Sequence, residues 1–203
     1  MFKYHTVKVM SHEAQRVFCS RMKELHPEHF KDNKVLDIGS LDINGNNKFL
    51  FDNSEYIGLD IAEGNNVDVV CIGHEYDASD ETFDTIISTE ALEHDMYYEK
   101  TILNAIRMLK KGGALLLTCA STFRPEHGTP RTDGSWAAPL LKEVSEEWAN
   151  YYKNLDEDDL KRIPGFVDTF PDGIYEYNHN KMDMYFFGIK NELGLNPDIL
   201  NSV

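Results

Sequence analysis

Between residues 83 and 119 the chain runs apolar segment, helix, glycine turn, apolar segment, and that order leaves little freedom of fold. Phe83 to Ser88 and Ala114 to Cys119 are short, mostly apolar runs, the pattern of strands buried on both faces of a parallel sheet. Between them Tyr97, Ile102, Ala105, Ile106 and Leu109 recur at helical spacing, with Lys100, Asn104 and Arg107 off that stripe. Lys110-Lys111-Gly112-Gly113 would end the helix, with cations on its negative end and glycine as terminator. Two parallel strands joined in this way form a βαβ unit, right-handed by default. Three more runs of the same kind come earlier, Lys34 to Ile38, Tyr56 to Asp60 and Val67 to Ile72. A helix starting near Ser11 precedes them, with Ala14, Val17, Phe18, Met22 and Leu25 at helical spacing and Pro27 as its stop. The expected fold class is α/β, a doubly wound and mostly parallel sheet.

The stretch from 121 to 173 is far longer than an ordinary connection, and long insertions of that kind are usually functional. It holds HGTPRTDGS, a predicted helix SEEWANYYKNL, and an acidic run Asp156 to Asp159 that reads as a solvated helix start. Trp148, Tyr151 and Tyr152 are expected in the core. Two aromatic runs, Ile174 to Tyr177 and Met184 to Lys190, look like a closing hairpin-like pair. With no repeat or linker in view, residues 1–203 read as one domain carrying a substrate-recognition insertion at about 121–173.

Charge narrows the possible partners. With 35 acidic and 20 basic side chains the formal net charge is −15, a field that repels a phosphate backbone, so no nucleic-acid partner is expected. No apolar window is long enough to span a membrane, and residues 1–15 lack a secretory apolar core, which together point to a cytoplasmic protein. The three cysteines, Cys19, Cys71 and Cys119, have neither C-x-x-C spacing nor a Cys/His cluster, so reduced thiols and no metal are expected.

Open α/β sheets bind ligands outside the carboxyl ends of their strands, where strand order reverses. The first run, VLDI, leads into Gly39-Ser40-Leu41-Asp42-Ile43-Asn44-Gly45. Gly39 permits a tight turn beside a ligand, and Asn44-Gly45 can supply positive φ or a second close approach. Asp60 closes the second run about 20 residues after Asp37, where a carboxylate can accept both ribose hydroxyl protons of an adenosine cofactor. Asp60 could also be a plain turn acid.

VLDIGS, YIGLDI, VDVVCIGHEY, FDTIISTEALEH and MLKKGGALLLTCA, in unbroken order from about 33 to 120, resemble the class I S-adenosylmethionine (SAM)-dependent methyltransferases, of the type 11-like kind. The tail MDMYFFGIK is similar to the final antiparallel strand of that Rossmann-like, seven-stranded fold. The loop GSLDINGN and the stretch TCASTFRPEHGTPRTDG resemble a subgroup met near polysaccharide biosynthesis. The resemblance implies SAM as cofactor, with Asp37, Gly39, Ser40, Asn44 and Gly45 around its methionine part and Asp60 with Ile61 at the ribose. It implies Ser88, Thr89 and Glu90 beside the cofactor, and Glu93-His94 as the family's glutamate-histidine pair. Two departures stand out: Leu41 and Ile43 replace glycines of the common DxGxGxG loop, and Ile72 replaces an adenine-binding acid, leaving Gly73 and His74 as substitutes. Asp37 could equally fix loop amides, Glu90 could cap the following helix, and His94 reads first as a satisfied helix-start histidine.

His127 lies in a loop just past the fifth strand, on the ligand side, with Arg124 and Arg131 to hold an acidic or hydroxylated acceptor. The acceptor is expected to be a small molecule or a saccharide, methylated on oxygen or nitrogen. A hydroxyl acceptor needs a base, and an imidazole with a reference pKa of about 6.5 makes His127 the catalytic candidate. Three rivals remain: a catalytically silent SAM- or nucleotide-binding partner module, an NAD-dependent oxidoreductase, and an aminopropyl transferase. The oxidoreductase would need a G-x-G-x-x-G turn, which does not follow Gly39.

Overall fold

The computed structural model describes residues 11–43, 45–132 and 145–193, so Asn44 and residues 133–144 of the expected insertion lie outside the described residues. Seven strands form one sheet: β1 (Lys34–Ile38), β2 (Glu55–Asp60), β3 (Val69–Val70), β4 (Phe83–Thr89), β5 (Leu109–Ala120), β6 (Ile174–Tyr177) and β7 (Asp183–Ile189). Their order is β3-β2-β1-β4-β5-β7-β6. All pairs up to β4–β5 are parallel, and β7 runs antiparallel to both β5 and β6. The expected fold class stands, with an antiparallel last strand between β5 and β6. Val67 to Ile72 shrinks to a two-residue edge strand.

The apolar runs are strands because both of their faces are covered. Helix α1 (Ser11–Leu25) packs Phe18, Cys19 and Met22 against Val35, Leu116, Tyr185 and Phe187. Helix α2 (Tyr98–Met108) puts Ile102 and Ile106 on the other face, against Leu36, Ile86 and Leu115. Each such side chain, once fully buried, contributes roughly 1.5–3 kcal/mol. Val17 and Leu25, expected on the packed face of α1, are exposed instead.

Helix α2 ends one turn earlier than its sequence suggests. Leu109 is already extended, and Lys110 to Gly113 belong to β5, with Gly112 at φ 70° and a register irregularity opposite Phe83–Thr85. The cation at the helix end comes from far along the chain: the buried Lys190 donates to the carbonyls of Ile106 at 2.8 Å and Leu109 at 2.6 Å. Lys110 pairs with Asp84 instead, at 2.6 Å.

Among the described residues three short helices follow β5: α3 (Glu146–Asn150), α4 (Glu157–Lys161) and α5 (Phe166–Thr169). Helix α3 is only the first part of the predicted SEEWANYYKNL helix. Ser145 caps its start, and extended backbone at Tyr151 ends it. Asp156 and Asp159 form a capping box that opens α4, so the acidic run does start a helix. Among the described residues no helix is long and apolar enough to cross a membrane.

Candidate active site

Strand order reverses between β1 and β4, and the turns leaving those two strands touch. Gly39 has φ 80°, and a Cβ on it would stand 2.2 Å from the Ala91 Cβ, so only glycine lets the turns meet. Ser40 is buried and binds the next loop, its hydroxyl donating to the Asn66 carbonyl at 2.9 Å. Gly45 has φ 121°, open space where a Cβ would sit, and an N–H donating to Asp42 Oδ1 at 2.8 Å. Asp60 is half-buried, and burial raises its pKa. Its oxygens accept the N–H groups of Leu41 and Ala62, both at 3.1 Å, so the acid both shapes the first loop and holds the bend at Ile61.

Under the loop lies Asp37, 1% exposed. Its Oδ2 accepts the Tyr56 hydroxyl and Asn47 Nδ2, while Oδ1 has no hydrogen-bond partner among the described residues. Burial pushes its pKa up to about 6, against the opposing hydrogen bonds from Tyr56 and Asn47. Asn47 also donates to Thr89 Oγ1 at 3.0 Å, tying the end of β4 to the first loop. Ser88 is structural in its contacts, its buried hydroxyl donating to the Ile38 carbonyl at 2.7 Å. Glu90 sits at φ 54°, rare for a side-chain residue, and accepts the Thr118 hydroxyl at 3.0 Å. Burial and the charge of Asp183 push its pKa up to about 7, with Arg124 opposing.

Gly73 is explained by helix packing, since a Cβ there would meet Thr101 Cγ2 at 2.6 Å. His74 has a buried Nδ1 without a partner among the described residues, and its ring lies 4.7 Å from that of Tyr97. Tyr97 in turn contacts Trp148 of α3 at 6.0 Å between ring centroids.

The segment after α3 is pinned across the carboxyl ends of β4 and β5. Lys153 N–H donates to the Glu93 carbonyl and Leu155 N–H to the Ala120 carbonyl, each at 2.9 Å. Arg124 pairs with the buried Asp183 at 2.9 Å, and Arg131 with Glu126 at 2.6 Å, so both expected substrate-binding arginines already hold acids of the chain itself. His127 Nε2 is 3.9 Å from Glu93 Oε1, and its ring stands at 89° to that of His94, 5.3 Å away. Glu93 is wholly buried, and Ala120 N–H donates to its Oε1 at 3.2 Å. Burial and the neighbouring His127 hold the His94 pKa down to about 4. Tyr152 packs edge-on to both imidazoles, at 5.4 and 5.1 Å. Trp148, Tyr151 and Tyr152 are not core residues: all three are half-buried, Trp148 on α3 and the two tyrosines on the chain that leaves it after Asn150. Next to Tyr151 an open surface depression of about 690 Å³ lies between Met96 and Glu146, Glu147 and Asn150.

The profile of a family described as "Methyltransferase domain" matches residues 10–162. The chain belongs to this family. Its fold is that of the class I SAM-dependent methyltransferases, and SAM is the methyl donor of that class. The methyltransferase resembles solved structures at low identity. A Burkholderia thailandensis 1,6-didemethyltoxoflavin-N1-methyltransferase, solved with 1,6-didemethyltoxoflavin and S-adenosylhomocysteine, is 14% identical, with a TM-score of 0.58 and coverage of 88% of this chain and 79% of that one. A Haemonchus contortus phosphoethanolamine N-methyltransferase 2, in complex with SAM, is 16% identical, with a TM-score of 0.58 and coverage of 87% and 53%. The CurJ carbon methyltransferase is 17% identical, with a TM-score of 0.55 and coverage of 91% and 55%. The methyltransferase thus spans about half the length of the last two. No curated protein sequence matches it significantly.

Several of the methyltransferase's contacts have no signature in its sequence. Asn47, which links Asp37 to Thr89, is one of three asparagines in a row of four residues, with nothing to single it out. Asp183 does leave a signal, an acid heading an otherwise apolar strand, yet its partner Arg124 lies 59 residues away. The closeness of Glu93 and His94 to His127 depends on how the loop after β5 folds back, which no local pattern encodes.

Proposed function

We propose that the protein transfers the methyl group of SAM to a small-molecule or saccharide acceptor, as a cytoplasmic enzyme of one domain with its recognition insertion at about 121–173. The observation that carries this reading is the half-buried Asp60 carboxylate at the end of β2, joined to the positive-φ turn at Gly39, where strand order reverses. The residues present fit SAM. Asp60 keeps lone pairs for the two ribose hydroxyls, Asp37 Oδ1, unpartnered among the described residues, is an acceptor beneath the methionine side, and His74 Nδ1, unpartnered among the same residues, would lie toward the adenine. Gly39, Ser40, Gly45 and Ile61 would shape the cradle through their backbone, and Thr89 and Glu90 would border it on the β4 side, with Ser88 and Gly73 supporting from behind.

SAM supplies a methyl group already activated on a sulfonium. The chain's task is to hold the acceptor in line with it, so orientation carries much of the rate enhancement. Arg124, fixed by Asp183, and Arg131, fixed by Glu126, would position the acceptor, and His127 stands with Glu93 and His94 where an acceptor hydroxyl would lose its proton. That the three similar structures are named for methylation at N1 of a heterocycle, at a phosphoethanolamine nitrogen and at carbon supports leaving the acceptor atom to the loop rather than the fold.

Calorimetric titration tests the reading. The parent protein should bind SAM and S-adenosylhomocysteine but not NAD, and Asp60→Ala should weaken SAM by roughly 10-fold or more, the loss of charged-acceptor hydrogen bonds. NAD binding without SAM binding would overturn it. The prior pairing of Arg124 and Arg131 favours one second reading, a SAM-binding partner module without turnover. That reading requires tight SAM binding with no labelled product from an extract given labelled SAM.

A further inference from the structure

We infer that Glu93, His94 and His127 form a binding site for one divalent transition-metal ion at the acceptor end of the mouth. Each residue offers a ligand atom, and the three atoms lie within 4.8 Å of one another. Metal–ligand bonds of about 2.0–2.2 Å call for somewhat closer ligands, a contraction that side-chain torsions can provide. Two of the ligands, Glu93 and His127, also carry the supporting contacts such a site needs. Glu93 is wholly buried, its Oε1 held by the Ala120 N–H while Oε2 has no hydrogen-bond partner among the described residues. A buried carboxylate oxygen without a donor is costly, and a cation removes the cost. The Nδ1 of His94 is likewise buried without a partner among the described residues. Gly128, at φ 68°, lets the acceptor loop close onto that ring, for a Cβ there would stand 2.6 Å from His94 Cε1.

His127 has the orientation of a ligating imidazole. Its Nδ1 lies 3.2 Å from the Pro125 carbonyl, which can only accept, so Nδ1 carries a proton, and Nε2, 3.9 Å from Glu93 Oε1, is the nitrogen that would face the ion. Metal-bound histidines commonly anchor their other nitrogen in this way. Two imidazoles with one carboxylate suit Zn²⁺, Co²⁺, Ni²⁺ or Fe²⁺ rather than Mg²⁺ or Ca²⁺. Three protein ligands leave positions open for an acceptor bearing a hydroxyl or carboxylate oxygen, whose proton affinity the ion would lower. The inference deepens the acceptor side of the proposed reaction, with His127 as ligand rather than proton acceptor, but its metal-binding core does not depend on SAM.

The test is titration of the full-length, untagged, chelator-treated protein with Co²⁺, followed by visible d–d absorption, and with Zn²⁺ by calorimetry. One equivalent should bind, and His127→Ala and Glu93→Gln should each weaken binding roughly 10-fold or more, whereas Glu126→Gln, an exposed acid of the same loop, should not. His127 is partly exposed, so its substitution leaves the core untouched, and an unchanged circular dichroism spectrum would confirm that. Absence of a d–d band, or Co²⁺ binding to His127→Ala as tight as to the parent, would overturn the inference. Neither donor nor acceptor is present in this measurement, so a protein that fails to bind SAM can still bind the ion, and the two failures are told apart.

Discussion

At Gly39 a single methyl group decides whether two turns can meet. Gly39→Ala would place a Cβ 2.2 Å from that of Ala91 in a left-handed backbone, and should destabilise the protein by about 3 kcal/mol in urea denaturation while abolishing SAM binding. Asp37 yields a prediction in pH. Burial raises its pKa from the ordinary 3.8 to about 6, so its contribution is full below pH 4 and is lost as pH rises through about 6. Native stability should therefore fall between about pH 4 and pH 6 and level off above pH 7, and Asp37→Asn, neutral throughout, should remove up to about 3 kcal/mol of that fall. Urea midpoints of the two proteins across that range would show it, and identical slopes would refute it. The tight turn at Gly39 could be read from loop chemistry, whereas Asp37 stood out only through the family resemblance. Arg124 could also be found, but not its occupation by Asp183, since the salt bridge joins segments with no common pattern.

The strands were legible because burial on both faces leaves a continuous apolar run, and β1 and β6 fall on their expected limits. Helix ends were not, because their caps are tertiary. Helix α2 shows this best: two lysines and two glycines imply a local stop, yet Lys190 supplies the terminal cation and the glycines enter a strand. Lys190→Met should therefore leave two buried carbonyls without a donor and cost about 1–3 kcal/mol, measurable as a lower urea midpoint. Lys110→Met, which removes only a partly exposed pair with Asp84, should cost less than about 1 kcal/mol. Where a helix is capped locally, as α4 is by Asp156 and Asp159, the sequence did announce its start.

Across the whole molecule a net charge of −15 acts against compaction. Screening should relieve it, so the thermal midpoint should rise between about 20 and about 300 mM NaCl, where the Debye length shortens from beyond 20 Å to under 10 Å. A midpoint that is flat or falling would mean that local ion pairs outweigh the net repulsion. The placement of β7 between β5 and β6 has a further consequence. During synthesis the twelve residues of β5, the longest strand of the sheet, emerge with an open flank that residues 183–189 close only later. Nascent chains halted before that point would expose LLLTCA to one another, making the interval between those two segments the period in which a chaperone matters most to this protein.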